Sequence, residues 1–367
     1  MKHMNLFAKT ARVFAGVGFA ALMALQPLSA SAESMAGKTI TIIHNASPGG
    51  STGLGSQILA NYWSKAIEGS PTMVVQSVPG GALTKGIHAA MNSKADGTTL
   101  GYVAWSGSTR ILDEPALQIE FQKLGLIGGV GGTSQMISVR TDTGSGVKNA
   151  EDFVKLGKIK FGGYTVKSMP SMSFAAAFDM LGMEWSFVSG FFGDTKINAA
   201  LLRGEIDAGM STASYFRTQL KDGVVKDGEV LPLFYLGHPN EAGTGIIKTD
   251  AYGDVAVSFD EFYRNATGKE PSGPAWDLIK FNGTNHEPVV WLIFAPEGTP
   301  ADTLKTLRDG FEAAVTDPGY IAEATKLFGT APLITRGQGI IDKVNDVQNT
   351  SEEMKDILRG YIGRLKG

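Results

Sequence analysis

Cysteine is absent from all 367 residues of this chain. Disulfides, thiolate nucleophiles, thiolate metal sites and lipid attachment through an N-terminal cysteine are therefore excluded. Charge is sparse as well, with 33 basic and 36 acidic side chains, a net of -3 and a charged fraction of 19%. No basic excess exists to hold a nucleic acid or an anionic membrane surface, so neither is expected as a partner. Histidine is scarce, at five residues. His44, His88, His238 and His286 are scattered without metal-ligand spacing, and each reads as a satisfied or solvated side chain. The chain also lacks the Walker motif, His-Glu-Xaa-Xaa-His and the dinucleotide spacing Gly-Xaa-Gly-Xaa-Xaa-Gly. The letters Gly-Xaa-Ser-Xaa-Gly occur at Gly49-Gly50-Ser51-Thr52-Gly53, and Gly209-Met210-Ser211-Thr212-Ala213 lacks the last glycine. No catalytic residue, metal or cofactor is expected.

The first 32 residues are a separate object. Lys2, Lys9 and Arg12 give a positive start, Val13 to Leu25 runs without charge, and Ala30-Ser31-Ala32 supplies small residues before Glu33. That is the build of a secretory signal peptide with cleavage after Ala32. The apolar run is short for a membrane span, and no later run is long enough for one. Removing residues 1–32 takes away three basic side chains and no acid, leaving 30 basic against 36 acidic and a net of -6. A large exported chain without cysteine suits the bacterial periplasm better than the small disulfide scaffolds of eukaryotic secretion.

Past the leader, short β-type runs alternate with helical patterns. Thr39–Ile43, Met73–Val75 and Thr98–Ala104 read as strands around helices at Leu54–Ile67 and Thr84–Met91. The rhythm returns with strands at Met136–Val139, Ile159–Phe161, Trp185–Val188, Ile206–Met210 and Leu231–Tyr235, and helices between them. After a strand at Val289–Phe294 the tail from Pro300 is helical. Such a pattern implies parallel sheets covered by helices, an α/β fold. Residues 240–288 carry no readable periodicity.

Glycine is plentiful, at 47 residues, and its placement carries the functional signal. Ser47-Pro48-Gly49-Gly50-Ser51-Thr52 joins the first strand to an amphipathic helix. Its glycines let the backbone turn and expose N–H groups, while Ser51 or Thr52 is placed to cap the helix. Free N–H groups at a helix start bind anions without Lys or Arg. A second such loop, Gly80-Gly81-Ala82-Leu83-Thr84, follows the second strand. Both lie at C-terminal ends of neighbouring parallel strands, where open α/β sheets bind ligands. Two later strand-to-helix loops offer Lys167, Ser168 and Met169, and then Phe191 and Phe192. Asp194, just after them, reads as a helix cap.

Several of these segments resemble the periplasmic receptors of the tripartite tricarboxylate transporters, the Bug/TctC-like family. Pro48-Gly49-Gly50-Ser51-Thr52 is similar to that family's first carboxylate loop, and Pro79-Gly80-Gly81-Ala82 through Gly86 to its second. Asp96-Gly97-Thr98-Thr99-Leu100, Gly204-Glu205-Ile206-Asp207-Ala208 and Ala295-Pro296-Glu297-Gly298-Thr299-Pro300 resemble three further segments, in family order. The chain departs from the pattern in having Gly53 where the family usually has Asp, Ala82 or Leu83 where it has Gly, and Lys167 in a third loop without the usual glycines.

The resemblance implies a type II periplasmic-binding-protein fold, with lobe 1 at 37–133 plus 240–367 and lobe 2 at 134–239. It implies that Ser47, Gly49, Gly50, Ser51 and Thr52, with Gly80, Gly81, Ala82, Leu83 and Thr84, hold one carboxylate through backbone N–H groups. Trp105 and Ser106 end the third strand at the same rim. Lys167, Ser168, Met169, Phe191, Phe192, Ser211 and Thr212 would select the rest of the ligand from lobe 2. The implied function is capture of a small di-, tri- or aromatic carboxylate by hinge closure and its delivery, as a monomer, to integral membrane transporter subunits. A receptor for a two-component sensor or an ABC-type importer is the alternative. A serine hydrolase built on Ser51 or Ser211 is a more distant one, since it needs a His on that hydroxyl.

Overall fold

The computed structural model describes residues 35–105, 111–112, 119–132 and 134–367. The expected leader and Ser106 lie outside the described residues. Strand β1 (Thr39–His44) leads into α1 (Ser51–Ala66), β2 (Thr72–Ser77), α2 (Thr84–Met91), β3 (Thr99–Ala104) and β4 (Gly125–Gly131). β1 lies between β2 and β3 and pairs parallel with both. Its alternate residues Ile40 and Ile42 are fully buried under α1, whose Leu59, Ala60 and Trp63 face the sheet. The 2-residue side-chain period of the strand and the 3.6-residue period of the helix meet there.

β4 was not legible because Gly125-Leu126-Ile127-Gly128-Gly129-Val130-Gly131 looks like a loop. The glycines instead admit close neighbours: a Cβ at Gly128 would lie 2.3 Å from Phe311 Cε1, and one at Gly131 would lie 2.0 Å from the Glu287 carbonyl oxygen.

The chain then crosses into a second sheet with β5 (Gln135–Arg140), α3 (Ala150–Lys155), β6 (Lys158–Gly162), α4 (Met169–Met180), β7 (Glu184–Val188), α5 (Asp194–Leu202), β8 (Ala208–Thr212) and β9 (Val230–Leu236). A π-helical stretch, Phe216–Val225, lies between β8 and β9. β6 pairs parallel with β7 and β8, while β5 runs antiparallel to β8 and β9. Residues 240–285 stay with this second sheet. β10 (Val257–Ser258) extends it alongside β9, and α6 (Phe259–Thr267) and α7 (Pro274–Asn285) follow, with α7 packed on α4. The expectation that this segment belongs to lobe 1 is therefore corrected. Its apolar side chains, Phe259, Phe262, Trp276, Leu278 and Ile279, join the core over Phe174, Phe178 and Phe234.

β11 (Trp291–Ala295) returns to the first sheet between β3 and β4, antiparallel to both. It is followed by α8 (Ala301–Thr316), α9 (Pro318–Phe328), β12 (Leu333–Arg336), α10 (Gln338–Asp346) and α11 (Glu352–Leu365). The two sheets, β12-β4-β11-β3-β1-β2 and β10-β9-β5-β8-β6-β7, share three parallel strands, an antiparallel crossing strand and a fifth strand antiparallel to that one, and differ at the edge, where β12 runs antiparallel to β4 and β10 parallel to β9. Each lobe thus receives its fourth strand just after the chain crosses over.

The last helix fastens the C-terminus to the second lobe. Asp179 on α4 accepts hydrogen bonds from both terminal nitrogens of Arg364, from Tyr361 Oη at 2.8 Å and from Trp185 Nε1 at 2.8 Å. The guanidinium lies 4.5 Å over the Trp185 ring. Burial alone would raise the Asp179 carboxyl, but these donors outweigh it and hold it below its ordinary value. Such a group stabilises the fold above the unfolded value of about 3.9, and the contribution is lost as pH falls through the lowered native value. Asp179→Asn should cost about 1–2 kcal/mol at neutral pH, and the gap to wild type should close below about pH 4, as read by urea unfolding across pH. A gap independent of pH would rule out the ionic origin.

Candidate functional site

The C-terminal ends of β1, β2 and β3 meet at one buried side chain. Asn45 is fully buried, and its Nδ2 donates to the carbonyls of Leu83 (2.8 Å) and Ala104 (3.0 Å). Its Oδ1 accepts from the Ala104 N–H at 2.8 Å. One amide thereby holds the first loop, the second loop and the end of β3 in register. Sequence reading passed over it because an Asn after a strand looks like a turn residue.

The first loop leaves the start of its helix open, without the hydroxyl cap its composition suggested. α1 starts at Ser51, three residues earlier than its apolar pattern suggested, with Gly50 at the N-cap in an extended conformation and no side chain capping it. The first N–H groups of the helix have no intrahelical partner. Ser51 and Thr52 do not cap; their hydroxyls reach elsewhere. Thr52 Oγ1 accepts from Trp291 Nε1 at 2.9 Å, and Ser51 Oγ lies 3.2 Å from Thr212 Oγ1 across the cleft. Removing the Thr52 hydroxyl as Thr52→Val should strand the buried indole N–H and lower stability by about 1–2 kcal/mol, measured by thermal unfolding.

The second loop is built differently from the first. Leu83 sits in the left-handed region at φ 77°, an arrangement usually left to Gly or Asn. Its carbonyl is pinned by Asn45, and its side chain lines the cleft. Gly80, Gly81 and Thr84 shape the turn without lining the cleft; Thr84 Oγ1 donates to the Gly81 carbonyl at 2.6 Å. Ala82 lies in the same turn, Gly81–Leu83.

The two rims touch. The Ser47 N–H donates to the Phe192 carbonyl at 3.1 Å, and the Ser51–Thr212 contact adds a second bridge. Between them lies a cavity of about 70 Å³. Of the expected residues it brings together Ser47, Gly50, Ser51, Thr52, Leu83 and Trp105 from the first lobe, and Ser168, Met169 and Thr212 from the second. Gly49 is exposed outside it. Lys167 is not part of the wall. Phe191 packs on the core of the second lobe, and Phe192 contributes its backbone. Ser211 is buried in β8 with its hydroxyl hydrogen-bonded to nothing. Neither proposed nucleophile therefore sits on a histidine: Ser51 meets Thr212, and Ser211 meets no polar partner. Among the described residues no group of three or more His, Cys, Asp or Glu is placed to hold a metal, and no helix is long and apolar enough to cross a membrane.

Several wall residues were missed because they converge from distant parts of the chain: Gln135, Tyr164, Asp194, His286 and Trp291. Asp194 is the important one. It opens α5 but does not cap it; Gly193 occupies the N-cap. Its carboxylate is 2% exposed and accepts from Tyr164 Oη at 2.6 Å and from Thr212 Oγ1 at 2.5 Å. Burial raises its pKa above the ordinary carboxylate value, although the donors from Thr212 and Tyr164 oppose the shift. His286, at the back, is driven down to about 4 by burial, so its ring is neutral at physiological pH. Its Nδ1, the Ser47 hydroxyl and Gln135 Oε1 are buried polar atoms of the wall without a protein partner. Buried polar atoms of this kind are ordinarily satisfied, here by whatever fills the cleft.

No protein-family model and no curated protein matches the chain. Solved structures do match in fold. The periplasmic binding protein BugD aligns with a TM-score of 0.65 at 17% identity, covering 89% of this chain and 98% of its own. MatC from Rhodopseudomonas palustris, solved with bound malate, aligns at 0.61 and 15% identity over 88% of this chain and 99% of its own. An R. palustris protein solved with adipate aligns at 0.64 and 14% identity over 88% and 97%. The chain is similar to these proteins in having the two-lobed α/β architecture of periplasmic binding proteins.

Proposed function

We propose that this protein is a periplasmic solute receptor that captures a small organic carboxylate between its lobes and delivers it to a membrane transporter of the tripartite tricarboxylate type. The observation that carries the reading is the uncapped start of α1, facing an enclosed interlobe cleft beside the unpartnered hydroxyl of Ser47. Oriented N–H groups and the helix dipole stabilise an anion there without a basic side chain. Contacts from Ser51 and Thr52 on one rim and Ser168 and Thr212 on the other make ligand affinity depend on closure, so binding favours the closed form. The malate and adipate recorded with proteins of the same fold support the ligand class. The absence of a Ser–His pair at Ser51 or Ser211 supports capture over hydrolysis.

A thermal-shift screen of the mature protein tests this, using di- and tricarboxylates, aromatic and aliphatic monocarboxylates and amino acids. A ligand at ~100-fold excess over its dissociation constant stabilises the folded state by about 2.7 kcal/mol. No shift with any carboxylate, or recovery of a covalently altered compound, would contradict the reading. Co-purification with integral membrane subunits, as against an ABC-type permease or a sensor kinase, settles the partner.

A further inference from the structure

We propose that Asp194 fixes the charge of the ligand: the cleft accepts a monocarboxylate whose far end is neutral or cationic and disfavours di- and tricarboxylates. This narrows the carboxylate reading above and rests on it.

Asp194 is a buried carboxylate in the wall of the cleft, and its partners are neutral donors: Tyr164 Oη, Thr212 Oγ1, the Ser51 hydroxyl and, at 3.4 Å, the Thr212 N–H. Burial raises this carboxyl above its ordinary value, and the hydrogen bonds donated to it oppose that shift and favour the ionised form. Among the described residues no Lys or Arg lines the cleft, and its one imidazole, His286, is neutral. Three helices begin at the cleft, but α4 is already capped, its Ser168 hydroxyl accepting from the Ser171 N–H and its Pro170 having no N–H to offer, which leaves the uncapped starts of α1 and α5, each worth roughly half a positive charge. Together they offset about one carboxylate, and Asp194 already supplies it. A ligand carboxylate seated on the α1 N–H groups then depends on hydrogen bonds for its stability. A second carboxylate would enter a desolvated space with no cation left to meet it, which is the costly case for a buried charge.

The rest of the wall fits that accounting. Ala46, Trp105, Met169, Pro170, Val290 and Trp291 present an apolar surface beyond the helix ends. A smaller cavity that shares Trp105, Met169 and His286 carries that surface on to Ile111, Phe281 and Val347. Methylene groups or a ring are at home there, and a carboxylate is not.

Hexanoate, ε-aminohexanoate and adipate have the same carbon chain and differ only at the far end, so calorimetry with the three at neutral pH isolates the effect. The expected result is binding of hexanoate and ε-aminohexanoate at least ~10-fold tighter than adipate, a difference of about 1.4 kcal/mol. Asp194→Asn keeps the shape and removes the charge, and should shift the adipate-to-hexanoate ratio by ~10-fold or more toward adipate. Circular dichroism establishes that the variant is folded, and the wild-type ranking is decisive even if it is not. Adipate binding as tightly as hexanoate to the wild type would overturn the inference and leave the carboxylate receptor standing. A ratio unchanged in folded Asp194→Asn would remove Asp194 from the role. Failure of all three probes and of the wider carboxylate panel would defeat the receptor reading itself, and the inference with it.

Discussion

Gly50→Val is expected to abolish carboxylate binding and leave the protein folded. Gly50 has φ -86° and ψ 175°, extended values open to any residue, so the substitution brings no backbone strain. A Cβ there would meet nothing closer than the Ser47 carbonyl oxygen at 3.9 Å. The new side chain would stand in the cleft, in front of the first N–H groups of α1. Affinity should fall at least ~100-fold, about 2.7 kcal/mol, while the melting midpoint stays within about 2 °C. Calorimetry and thermal unfolding read the two separately. Gly81 looks equivalent in the sequence and is not. At φ 57°, with a Cβ 2.9 Å from Thr84 Oγ1, Gly81→Val strains the second loop, costing about 1–3 kcal/mol, and reaches the ligand only through Leu83.

Asn45→Ala should damage fold and site together. The substitution removes three hydrogen bonds and leaves the Ala104 N–H and the Leu83 carbonyl, both partly buried, without their partner. Each stranded group costs about 1–3 kcal/mol, so a loss of about 3 kcal/mol in total and several degrees of melting temperature is expected. Leu83 would also lose the contact that holds its left-handed turn against the cleft, so affinity should fall even well below the unfolding temperature. Urea unfolding and ligand calorimetry on one preparation check both effects. A variant of wild-type stability would show that the strand ends hold their register without this amide.

The contrast between these positions shows what was readable in advance. Local period revealed the parallel strands and their helices, because Ile40, Ile42, Leu59 and Trp63 repeat at the spacing of their own element. The loop at Ser47–Thr52 was readable because its glycines and hydroxyls sit at a strand-to-helix junction. β4 was hidden because its glycines answer to Phe311 and Glu287, far along the chain. Residues 240–288 were opaque because their aromatics pack on strands that precede them, and no local pattern records that. Asp194 was mistaken for a cap because a cap is what an Asp before a helix usually is. Tyr164, from the loop after β6, and Thr212, at the end of β8, turn it into a wall of the cleft. Lys167 is the reverse case: its loop position suggested the cleft, and it is not among the residues that line it.

A crystal structure of the complex with the tightest-binding carboxylate of the panel tests the central claim most directly. The account predicts the ligand carboxylate within hydrogen-bonding distance of the Ser51 and Thr52 backbone N–H groups, with both lobes in contact. A carboxylate seated elsewhere, or those amides facing only solvent in the bound state, would contradict it.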